Sequence, residues 1–342
     1  MEKQFEKVFK GKKILVTGGT GSIGNEIVKR LLDYKPDVVR IFSNDEDTTF
    51  GMKQELADLP NIRFLIGDVR DKERLILAME NIDIVYHAAA LKHVPLCEYN
   101  PFEAIKTNVF GTQNVIEAAL ACGVKKVINI STDKAVNPIN TMGATKLLAE
   151  KLIIDANEGK GTKPTIFFTV RFGNVLFTRG SVIPLFEKQI KEKKSVTLTD
   201  QNMTRFVMSK DNTINLVFKA TLIAKGGEIF ILKMPVVKLR DLADVVIEYY
   251  SKINDYKKEE IKKNVIGPRV GEKIFEELMT ENEAKLAFET KEMLIIPPQM
   301  VLPHLSCEIK DYEGAKNSKL KRYTSRDAKP LNKNEIKKML FN

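Results

Sequence analysis

The sequence predicts an α/β protein built on a doubly wound parallel sheet, with a smaller lobe contributed by the C-terminal residues. Apolar strand-like runs alternate with amphipathic helix-like runs from residue 12 to about residue 175. This alternation is typical of βαβ units with right-handed crossovers. Beyond Gly180 the alternation becomes irregular. Residues 1–180 are therefore expected to form the sheet domain, and residues 181–342 mainly a lobe interleaved with the end of the sheet.

The composition indicates a globular protein without a nucleic-acid function. The net charge is +10 over 342 residues, but the excess is mostly lysine in solvent-type helix segments such as 188–194 and 257–263. No aromatic–basic interleaving accompanies it, so solvated helix faces explain the charge better than nucleic acid does. No apolar run is long enough to span a bilayer and the first residues are charged, so we expect no membrane partner and a cytoplasmic location. Three widely spaced cysteines favour reduced thiols over disulfides or a metal site.

A glycine-rich turn follows the first predicted strand, residues 12–16, and leads into an amphipathic helix. Glycines allow a tight turn and let a pyrophosphate approach the backbone N–H groups at a helix N-terminus. The strand–turn–helix context therefore predicts that residues 1–180 bind a dinucleotide cofactor. The candidate contacts are Gly18, Thr20, Gly21, Ser22, Ile23 and Gly24.

The tip of the second predicted strand, residues 38–42, gives a mixed signal about the cofactor. An acid at this point suits the ribose of NAD, and a basic group suits NADP. Here Ser43 and Asn44 come first and Asp45 follows, so NAD and NADP both stay open. Residues 45–47 are equally compatible with a solvated acidic loop.

The third predicted strand, residues 62–67, ends at Asp68 and Val69. Asp68 is placed to accept a hydrogen bond from an adenine amine, with Val69 beside it. It is equally placed to cap the next helix, which is predicted to start near Lys72.

The fourth predicted strand, residues 82–86, ends at His87, and Ala88, Ala89 and Ala90 come next. Such small residues let the backbone pass close to a cofactor. We interpret His87 and His93 as hydrogen-bonded structural groups, the commoner state of an isolated histidine. Two further candidates are Lys92, at the same sheet end, for the substrate, and Asn108, in a helix predicted over 101–122, for the cofactor.

The densest group of proton-transfer side chains follows the predicted strand 126–130. A hydroxyl, a carboxylate and an amine stand in a row at Thr132, Asp133 and Lys134, and a helix predicted over 141–156 adds Lys146, four residues after Met142. In open α/β sheets, ligands bind at the carboxyl ends of the strands. We therefore predict the catalytic site here.

The second half is predicted to contain shorter elements and the substrate contacts. Strands are predicted at 165–170, 196–198 and 228–232, helices at 181–191, 211–224 and 238–251, and a turn at 266–273 that opens a helix. Three arginines in polar or Gly/Pro-containing stretches are equally consistent with a diphosphate clamp and with surface groups. The substrate candidates in this half are Asn174, Arg179, Arg205, Arg269 and Glu272.

Together these motifs resemble the extended short-chain dehydrogenase/reductases. The match is strongest to the nucleotide-sugar 4,6-dehydratases that act on UDP-N-acetylglucosamine, which serve surface-glycan and nonulosonic acid synthesis. The segments that carry it are 17–24, 87–95, 131–134, 137–138, 143–146, 171–175, 180–184 and 269–273. The resemblance implies a Rossmann sheet, a tightly bound NAD or NADP that is regenerated in each turnover, and a homo-oligomer.

The resemblance also implies a reaction, the elimination of water by internal hydride transfer. Hydride leaves sugar carbon 4, a proton leaves carbon 5, water leaves carbon 6 and the hydride returns there, giving a 4-keto-6-deoxy sugar. By this resemblance, Thr132 hydrogen-bonds the carbon 4 oxygen and Asp133 protonates the departing hydroxyl. Lys134 takes the carbon 5 proton if its pKa is lowered, and Lys146 binds the nicotinamide ribose.

Two positions depart from the general pattern of the superfamily. Met142 stands where a tyrosine usually removes the carbon 4 proton, and a thioether cannot do so. Some members of this dehydratase branch are similar in carrying Met, with Asp133 as the substitute base; Asp133 would then gain a proton at carbon 4 and give one at carbon 6. Asn44 stands where relatives often carry an arginine that suits NADP, which weakens the NADP assignment.

Several alternatives stay open from the sequence. The carrier nucleotide is UDP or GDP, and carbon 5 is retained or inverted. A nucleotide-sugar 4-epimerase is a second activity, although an epimerase needs no acid at carbon 6. A catalytically silent cofactor-binding protein is the third reading, which only Met142 favours.

Overall fold

A computed structural model, which describes residues 2–298 and 307–341, shows the expected α/β architecture around one ten-stranded sheet. The strands are β1 (Lys13–Thr17), β2 (Val38–Ser43), β3 (Ile62–Ile66), β4 (Ile84–His87), β5 (Lys126–Thr132), β6 (Ile166–Phe172), β7 (Asn174–Val175), β8 (Ser195–Leu198), β9 (Thr204–Met208), β10 (Ile229–Leu232), β11 (Val236–Lys238), β12 (Lys262–Val265), β13 (Glu277–Met279), β14 (Phe288–Glu289), β15 (Met293–Ile296), β16 (Lys316–Asn317) and β17 (Tyr323–Thr324).

The order of the main sheet is β16-β14-β15-β10-β6-β5-β4-β1-β2-β3. From β3 to β10 all neighbours are parallel, and β15, β14 and β16 extend the sheet antiparallel. The chain runs from β1 outward to β3 and then crosses back to β4. This reversal leaves a crevice beyond the carboxyl ends of β1 and β4, where ligands bind in such sheets.

Helices cover both faces of the sheet. They are α1 (Glu2–Phe9), α2 (Ser22–Leu32), α3 (Glu46–Glu55), α4 (Lys72–Met79), α5 (Val94–Tyr99), α6 (Pro101–Ile105), α7 (Gly111–Cys122), α8 (Thr141–Gly159), α9 (Val182–Lys193), α10 (Lys210–Ile223), α11 (Leu239–Ile253), α12 (Glu281–Ala284) and α13 (Lys333–Phe341). Alternate residues of β1 serve the two faces, since Ile14 and Val16 pack with the α2 side and Leu15 packs with the α4–α7 side. That alternation is why the strand is apolar throughout.

Residues beyond 180 complete the main sheet and also build a second core. β10 pairs in parallel with β6, placing Ile229 opposite Thr169. A separate apolar cluster joins α9, α11 and α13, with Phe186, Leu242 and Ile336 buried in it. The cavity described below lies between this cluster and the sheet end.

Three predicted elements differ from the structure. The charged first residues, 1–11, in which the sequence indicates at most a helical turn, contain a full helix, α1, because Phe5 and Phe9 are buried against Tyr34 and Phe218. The helix predicted over 101–122 is interrupted by a π-helical segment, Lys106–Phe110.

The third difference is that the turn at 266–273 opens no helix. Gly267 and Gly271 have φ values of +82° and +74° and belong to the turn itself. The chain then runs extended into β13, which pairs with β17.

Within residues 2–298 and 307–341, no helix is both long and apolar enough to cross a membrane.

Candidate active site

The glycine turn after β1 is packed so tightly that side chains are excluded. Gly18 has a φ of +63°, and a Cβ atom there would lie 2.7 Å from the Cα of Ala89. A Cβ atom at Gly24 would lie 2.2 Å from the carbonyl oxygen of Gly18. Gly21 caps α2 without a side-chain hydrogen bond, so the N–H groups of that terminus stay open to an anion. This cradle fits the pyrophosphate of a dinucleotide.

The tip of β2 carries a hydroxyl cluster. Thr20 Oγ1 lies 2.8 Å from Ser43 Oγ and accepts a hydrogen bond from Thr48 Oγ1 at 3.0 Å. Asp45 caps α3 by accepting from the Thr48 backbone N–H at 3.0 Å. The acidic segment after β2 therefore begins a helix and is not merely a solvated loop.

Asp68 does not cap the helix that follows it. Its carboxylate accepts hydrogen bonds from Asn44 Nδ2 at 3.0 Å and from the Arg70 guanidinium at 3.0 and 2.7 Å. Asp71 caps α4 instead, by accepting from the Arg74 backbone N–H. The capping alternative for Asp68 is thus wrong, since the helix starts three residues later than that role requires.

His87 and Asn108 hold the loop after β4 in place. The two ring nitrogens of His87 contact the Thr17 and Thr112 hydroxyls at 2.8 and 3.1 Å. Burial, with the nearby charge of Lys146, lowers the pKa of His87 to about 3, so it is a neutral structural group. Asn108, in the π-helical segment, accepts from the Leu91 N–H at 2.8 Å and donates to the Leu91 carbonyl and Thr145 Oγ1, both at 3.0 Å.

Asp133 is the most enclosed of the predicted catalytic groups, with no exposed surface. Its Oδ1 accepts from Thr132 Oγ1 at 2.8 Å and from Lys134 Nζ at 2.9 Å. Its Oδ2 is buried and has no hydrogen-bond partner among the described residues. An unsatisfied buried carboxylate oxygen is costly and calls for an explanation.

Lys134 lies between Asp133 and a second carboxylate, Glu276, whose Oε1 is 3.6 Å from Nζ. Burial disfavours the charged amine, but Asp133 and Glu276 more than offset that effect and raise the pKa of Lys134. The sequence analysis gave Lys134 the carbon 5 proton on the condition that its pKa is lowered. That condition is not met in this arrangement. The physical reason is the pair of carboxylates.

Lys146 projects from the first turns of α8 and donates to the carbonyl of Ile130 at 2.7 Å. Burial lowers its pKa to about 8, and the charge of Glu150 partly opposes this. Met142 is only 3% exposed and packs in a small apolar cluster with Cys97 and Ala104. Its thioether therefore has a packing role.

A buried ionic network beneath the site was not predicted. Arg171 donates to Glu150 at 3.0 and 2.5 Å and to Glu283 at 3.2 and 3.1 Å. Ser131 Oγ donates to the same Glu150 carboxylate at 2.5 Å. The sequence did carry one signal, because Glu150 falls one helical turn after Lys146 on the buried face of α8.

A cavity of about 300 Å³ opens beside Lys134 and Glu276. Four of the predicted substrate residues line it: Asn174, Arg205, Arg269 and Glu272. The other two lie by the glycine turn, where Lys92 Nζ donates to the Arg179 carbonyl and the Arg179 N–H donates to Ser22 Oγ. The cavity wall thus holds two of the three predicted arginines.

Arg205 is already bound by protein groups. It donates to Glu272 Oε1 at 3.3 Å and to the Lys273 carbonyl at 2.9 Å, and its Nε lies 3.7 Å from Glu276 Oε1. Glu276 was not predicted from the sequence because a helix was predicted there, which hid the direction of its side chain.

Among the described residues, no group of three or more metal-ligand side chains is present.

The fold and the glycine turn together define an extended short-chain dehydrogenase/reductase, with buried lysine and carboxylate side chains gathered at the same sheet end. The chain belongs to the polysaccharide biosynthesis protein family, whose pattern it matches over residues 14–298.

Among its relatives is a protein of Methanocaldococcus jannaschii named as an uncharacterized membrane protein, 54% identical over 99% of this chain and 98% of that one. The UDP-N-acetylglucosamine 4,6-dehydratase (inverting) of Campylobacter jejuni is 45% identical over 86% of this chain and 85% of its own length. The UDP-glucose 4-epimerase of Rickettsia bellii is 42% identical over 98% and 97%.

Solved structures share the fold. Pen from Bacillus thuringiensis is 48% identical, with a TM-score of 0.91 over 98% of each chain. A dTDP-glucose 4,6-dehydratase from Streptomyces venezuelae, solved with NAD bound, has a TM-score of 0.66 at 22% identity over 77% of this chain and 86% of that one. At that identity the second likeness concerns the fold alone.

Proposed function

We propose that this protein is a UDP-N-acetylglucosamine 4,6-dehydratase, a hydro-lyase. The observation that carries the proposal is the buried Asp133 carboxylate: its Oδ1 pairs with Lys134, which lines a cavity of about 300 Å³, and its Oδ2 has no hydrogen-bond partner among the described residues. An elimination needs such an acid near carbon 6. The 45% identical dehydratase of Campylobacter jejuni supports the same activity.

The cofactor is NAD or NADP, and when bound it supplies the acceptance and return of hydride. The glycine turn would hold its pyrophosphate, the loop of Ala88, Ala89 and Ala90 would flank it, and Lys146 would hold the nicotinamide ribose. Residues 1–180 would thus carry the cofactor and residues 181–342 most of the sugar nucleotide. The hydroxyl cluster of Thr20 and Ser43 would face the adenosine ribose.

Asp133 would act twice in the reaction. Its carboxylate takes the proton of the carbon 4 hydroxyl, because Met142 has no group that can do so. The resulting carboxylic acid then protonates the hydroxyl that leaves carbon 6. Thr132 would accept a hydrogen bond from the carbon 4 hydroxyl while its own O–H, donated to Asp133 Oδ1, orients that carboxylate.

Lys134 would remove the carbon 5 proton. Its amine is held charged by neighbouring carboxylates in the resting site. Once Asp133 has taken the carbon 4 proton, one of those charges is neutralised and the pKa of Lys134 falls. The order of the two steps is then set by electrostatics, with oxidation first and elimination second.

The sugar nucleotide would occupy the 300 Å³ cavity, which is at the small end of ligand sites. Arg269 is the candidate for the diphosphate, with Asn174 and Glu272 beside it. Arg205 would contact the substrate through a guanidinium that Glu272 and the Lys273 carbonyl hold in place. Lys92 and Arg179 would instead meet the end of the substrate nearest the cofactor. UDP is the carrier we favour, with GDP as the alternative.

A 4-epimerase is the second candidate, because the relatives of that name cover nearly the whole chain at 42% identity. An epimerase would use the same cofactor and the same carbon 4 base. An epimerase does not need the Thr132-Asp133-Lys134 cluster with a second carboxylate, Glu276, beside it, and for that reason we rank the epimerase second.

We further propose a cytoplasmic homo-oligomer that forms through the helices flanking the site. Five large apolar side chains of α5, α6, α8 and the π-helical segment are exposed: Leu96, Tyr99, Phe102, Phe110 and Leu148. A surface of this kind marks a protein interface.

The test is incubation of the purified protein with UDP-N-acetylglucosamine, followed by mass spectrometry and NMR of the product. Loss of one water supports the dehydratase, and NMR then reports carbon 5. Altered stereochemistry at unchanged mass supports the epimerase. If neither UDP- nor GDP-linked N-acetylglucosamine reacts, the result supports the third alternative, a catalytically silent cofactor-binding protein.

A further inference from the structure

Lys134 lies between two buried carboxylates, and the proposed function uses only one of them. Asp133 Oδ1 is 2.9 Å from Lys134 Nζ, and Glu276 Oε1 is 3.6 Å from it. Glu276 is 3% exposed, and its Oε2 has no hydrogen-bond partner among the described residues. A buried, half-satisfied carboxylate in a site wall calls for a functional explanation.

The backbone around Glu276 is fixed by a distant part of the chain. The Glu276 N–H donates to Ser325 Oγ at 2.9 Å, and the Ser325 N–H donates to the Glu276 carbonyl at 2.8 Å. Ser325 Oγ also lies 2.8 Å from Thr204 Oγ1. A side chain supported in this way keeps its geometry through a reaction.

Four charged groups face Glu276. Lys134 and Asp133 approach from the turn after β5, Arg205 from β9, and Lys273 from the segment of Glu276 itself. Burial and the charge of Asp133 raise the pKa of Glu276, and the three cations oppose this. A proton on this carboxyl is therefore less costly than on an exposed glutamate.

We propose that Glu276 accepts the proton of Lys134 and so frees that amine to act as the base at carbon 5. Glu276 acts through Lys134 and is a positioning residue. The inference rests on the proposed dehydratase function, because only that reaction needs a neutral amine beside carbon 5.

The proton balance closes over the three side chains. Asp133 starts as a carboxylate, Lys134 as an ammonium and Glu276 as a carboxylate. The O–H proton of carbon 4 passes to Asp133. With Asp133 neutral, an N–H bond of Lys134 breaks and an O–H bond forms on Glu276.

The elimination then uses both prepared groups. Lys134 takes the carbon 5 proton, the electron pair of that C–H bond forms the carbon 5–carbon 6 double bond, and the carbon 6 oxygen leaves as water with the proton of Asp133. After the elimination, Lys134 and Glu276 are both protonated. One of these two protons returns to carbon 5. The other ends on Lys134, which restores the starting state. The hydride taken from carbon 4 and returned at carbon 6 leaves this count unchanged.

The test compares Glu276→Gln with Glu277→Gln in the intact protein. Glu277 is the adjacent residue, and its carboxylate accepts from Asn137 at 2.6 Å, outside the cluster. In Glu276→Gln the Lys134 proton has no internal acceptor and must leave to solvent beforehand. Turnover of UDP-N-acetylglucosamine should fall at least about tenfold at pH 7 and climb up to about tenfold per pH unit toward pH 9, a slope that neither the wild type nor Glu277→Gln shows.

Two kinetic outcomes would overturn the inference. A loss of activity that is equal at every pH would make Glu276 merely structural. Faster turnover at pH 7 would mean that the glutamate only keeps Lys134 charged. Glu276→Asp should recover part of the neutral-pH activity if a carboxyl is what matters.

A measurement without substrate separates this inference from the proposed function. The infrared carbonyl band of a protonated carboxyl is followed during a pH titration of the wild type and both variants. We expect a band that titrates above the range of ordinary glutamates, is lost in Glu276→Gln and persists in Glu277→Gln. Its absence from the wild type overturns the inference even if UDP-N-acetylglucosamine is dehydrated. Its presence without dehydration leaves Glu276 as a proton-holding group and rejects only the dehydratase.

Discussion

Gly143 packs directly against the carbonyl oxygen of Lys134. A Cβ atom at position 143 would lie 2.2 Å from that oxygen. The Gly143 N–H also donates to Asn140 Oδ1 at 2.7 Å, which caps α8. The contact joins the helix that carries Lys146 to the turn that carries Asp133, so these two side chains share one rigid support.

Gly143→Ala should therefore damage the proposed reaction without unfolding the protein. The added methyl must push the Lys134 turn away from α8, and displacements of about 1 Å cost rates of roughly 100-fold. We expect at least about a tenfold loss of turnover by product assay. The matched control is Gly159→Ala at the end of the same helix, where a Cβ meets nothing within 4 Å. Equal activity of both variants would contradict the tight packing.

Asp133→Asn should abolish turnover and preserve binding. An amide cannot accept the carbon 4 proton or deliver one at carbon 6, and general acid–base groups contribute about 100- to 10,000-fold. Calorimetry should give cofactor and UDP-N-acetylglucosamine affinities within about threefold of the wild type. Asp155→Asn, at an exposed position of α8, controls for the substitution. A fully active Asp133→Asn would remove Asp133 from the mechanism.

Met142→Leu should be nearly neutral, because Met142 is buried in an apolar cluster with Cys97 and Ala104. Exchanging these two side chains usually costs less than about 1.5 kcal/mol. Turnover and the unfolding midpoint in urea are the readouts. A large loss of turnover with unchanged stability would show that the sulfur takes part in the reaction.

Arg171→Met should destabilise the fold strongly. The substitution leaves Glu150 and Glu283 without their buried partner, and breaking a buried ion pair costs about 3–5 kcal/mol. Arg30→Met provides the comparison, since Arg30 pairs with the exposed Asp211 and such pairs contribute about 1 kcal/mol or less. Urea denaturation measures both. Similar losses in the two variants would mean that the network is not strongly coupled.

Lys146 should make stability depend on pH. Its pKa is about 8 in the fold against 10.5 for an ordinary lysine, so the folded protein loses this proton at a lower pH than the unfolded chain does. The free-energy cost of burying the charged Lys146 amine is fully present below about pH 8, and it disappears as the pH rises to about 10.5. Relative to Lys146→Met, the wild type should gain roughly 3 kcal/mol of unfolding free energy over that window. The unfolding free energies of both proteins are measured by urea denaturation at each pH. If they change with pH in parallel, the lowered pKa of Lys146 is refuted.

The sequence predicted the sheet well because its strands are local apolar runs and its glycine turn has a local cause. Strand β5, for example, was predicted over 126–130 and spans 126–132. Glu276 could not be found in this way, since its importance depends on Lys134 and Ser325, which only folding brings near it. The network of Arg171 with Glu150 and Glu283 is non-local in the same sense. The wrong helix after the turn at 266–273 also has a non-local cause, because that segment forms β13 by pairing with the distant strand β17.

The pairing of β6 with β10 has a consequence for how the molecule is made. β6 ends at Phe172, and its partner on that side begins only at Ile229. While the ribosome synthesises the intervening residues, β6 is an open hydrophobic sheet edge with nothing native to pair with. The nascent chain thus passes through an interval in which aggregation competes with folding, and chaperones have their clearest reason to bind it there.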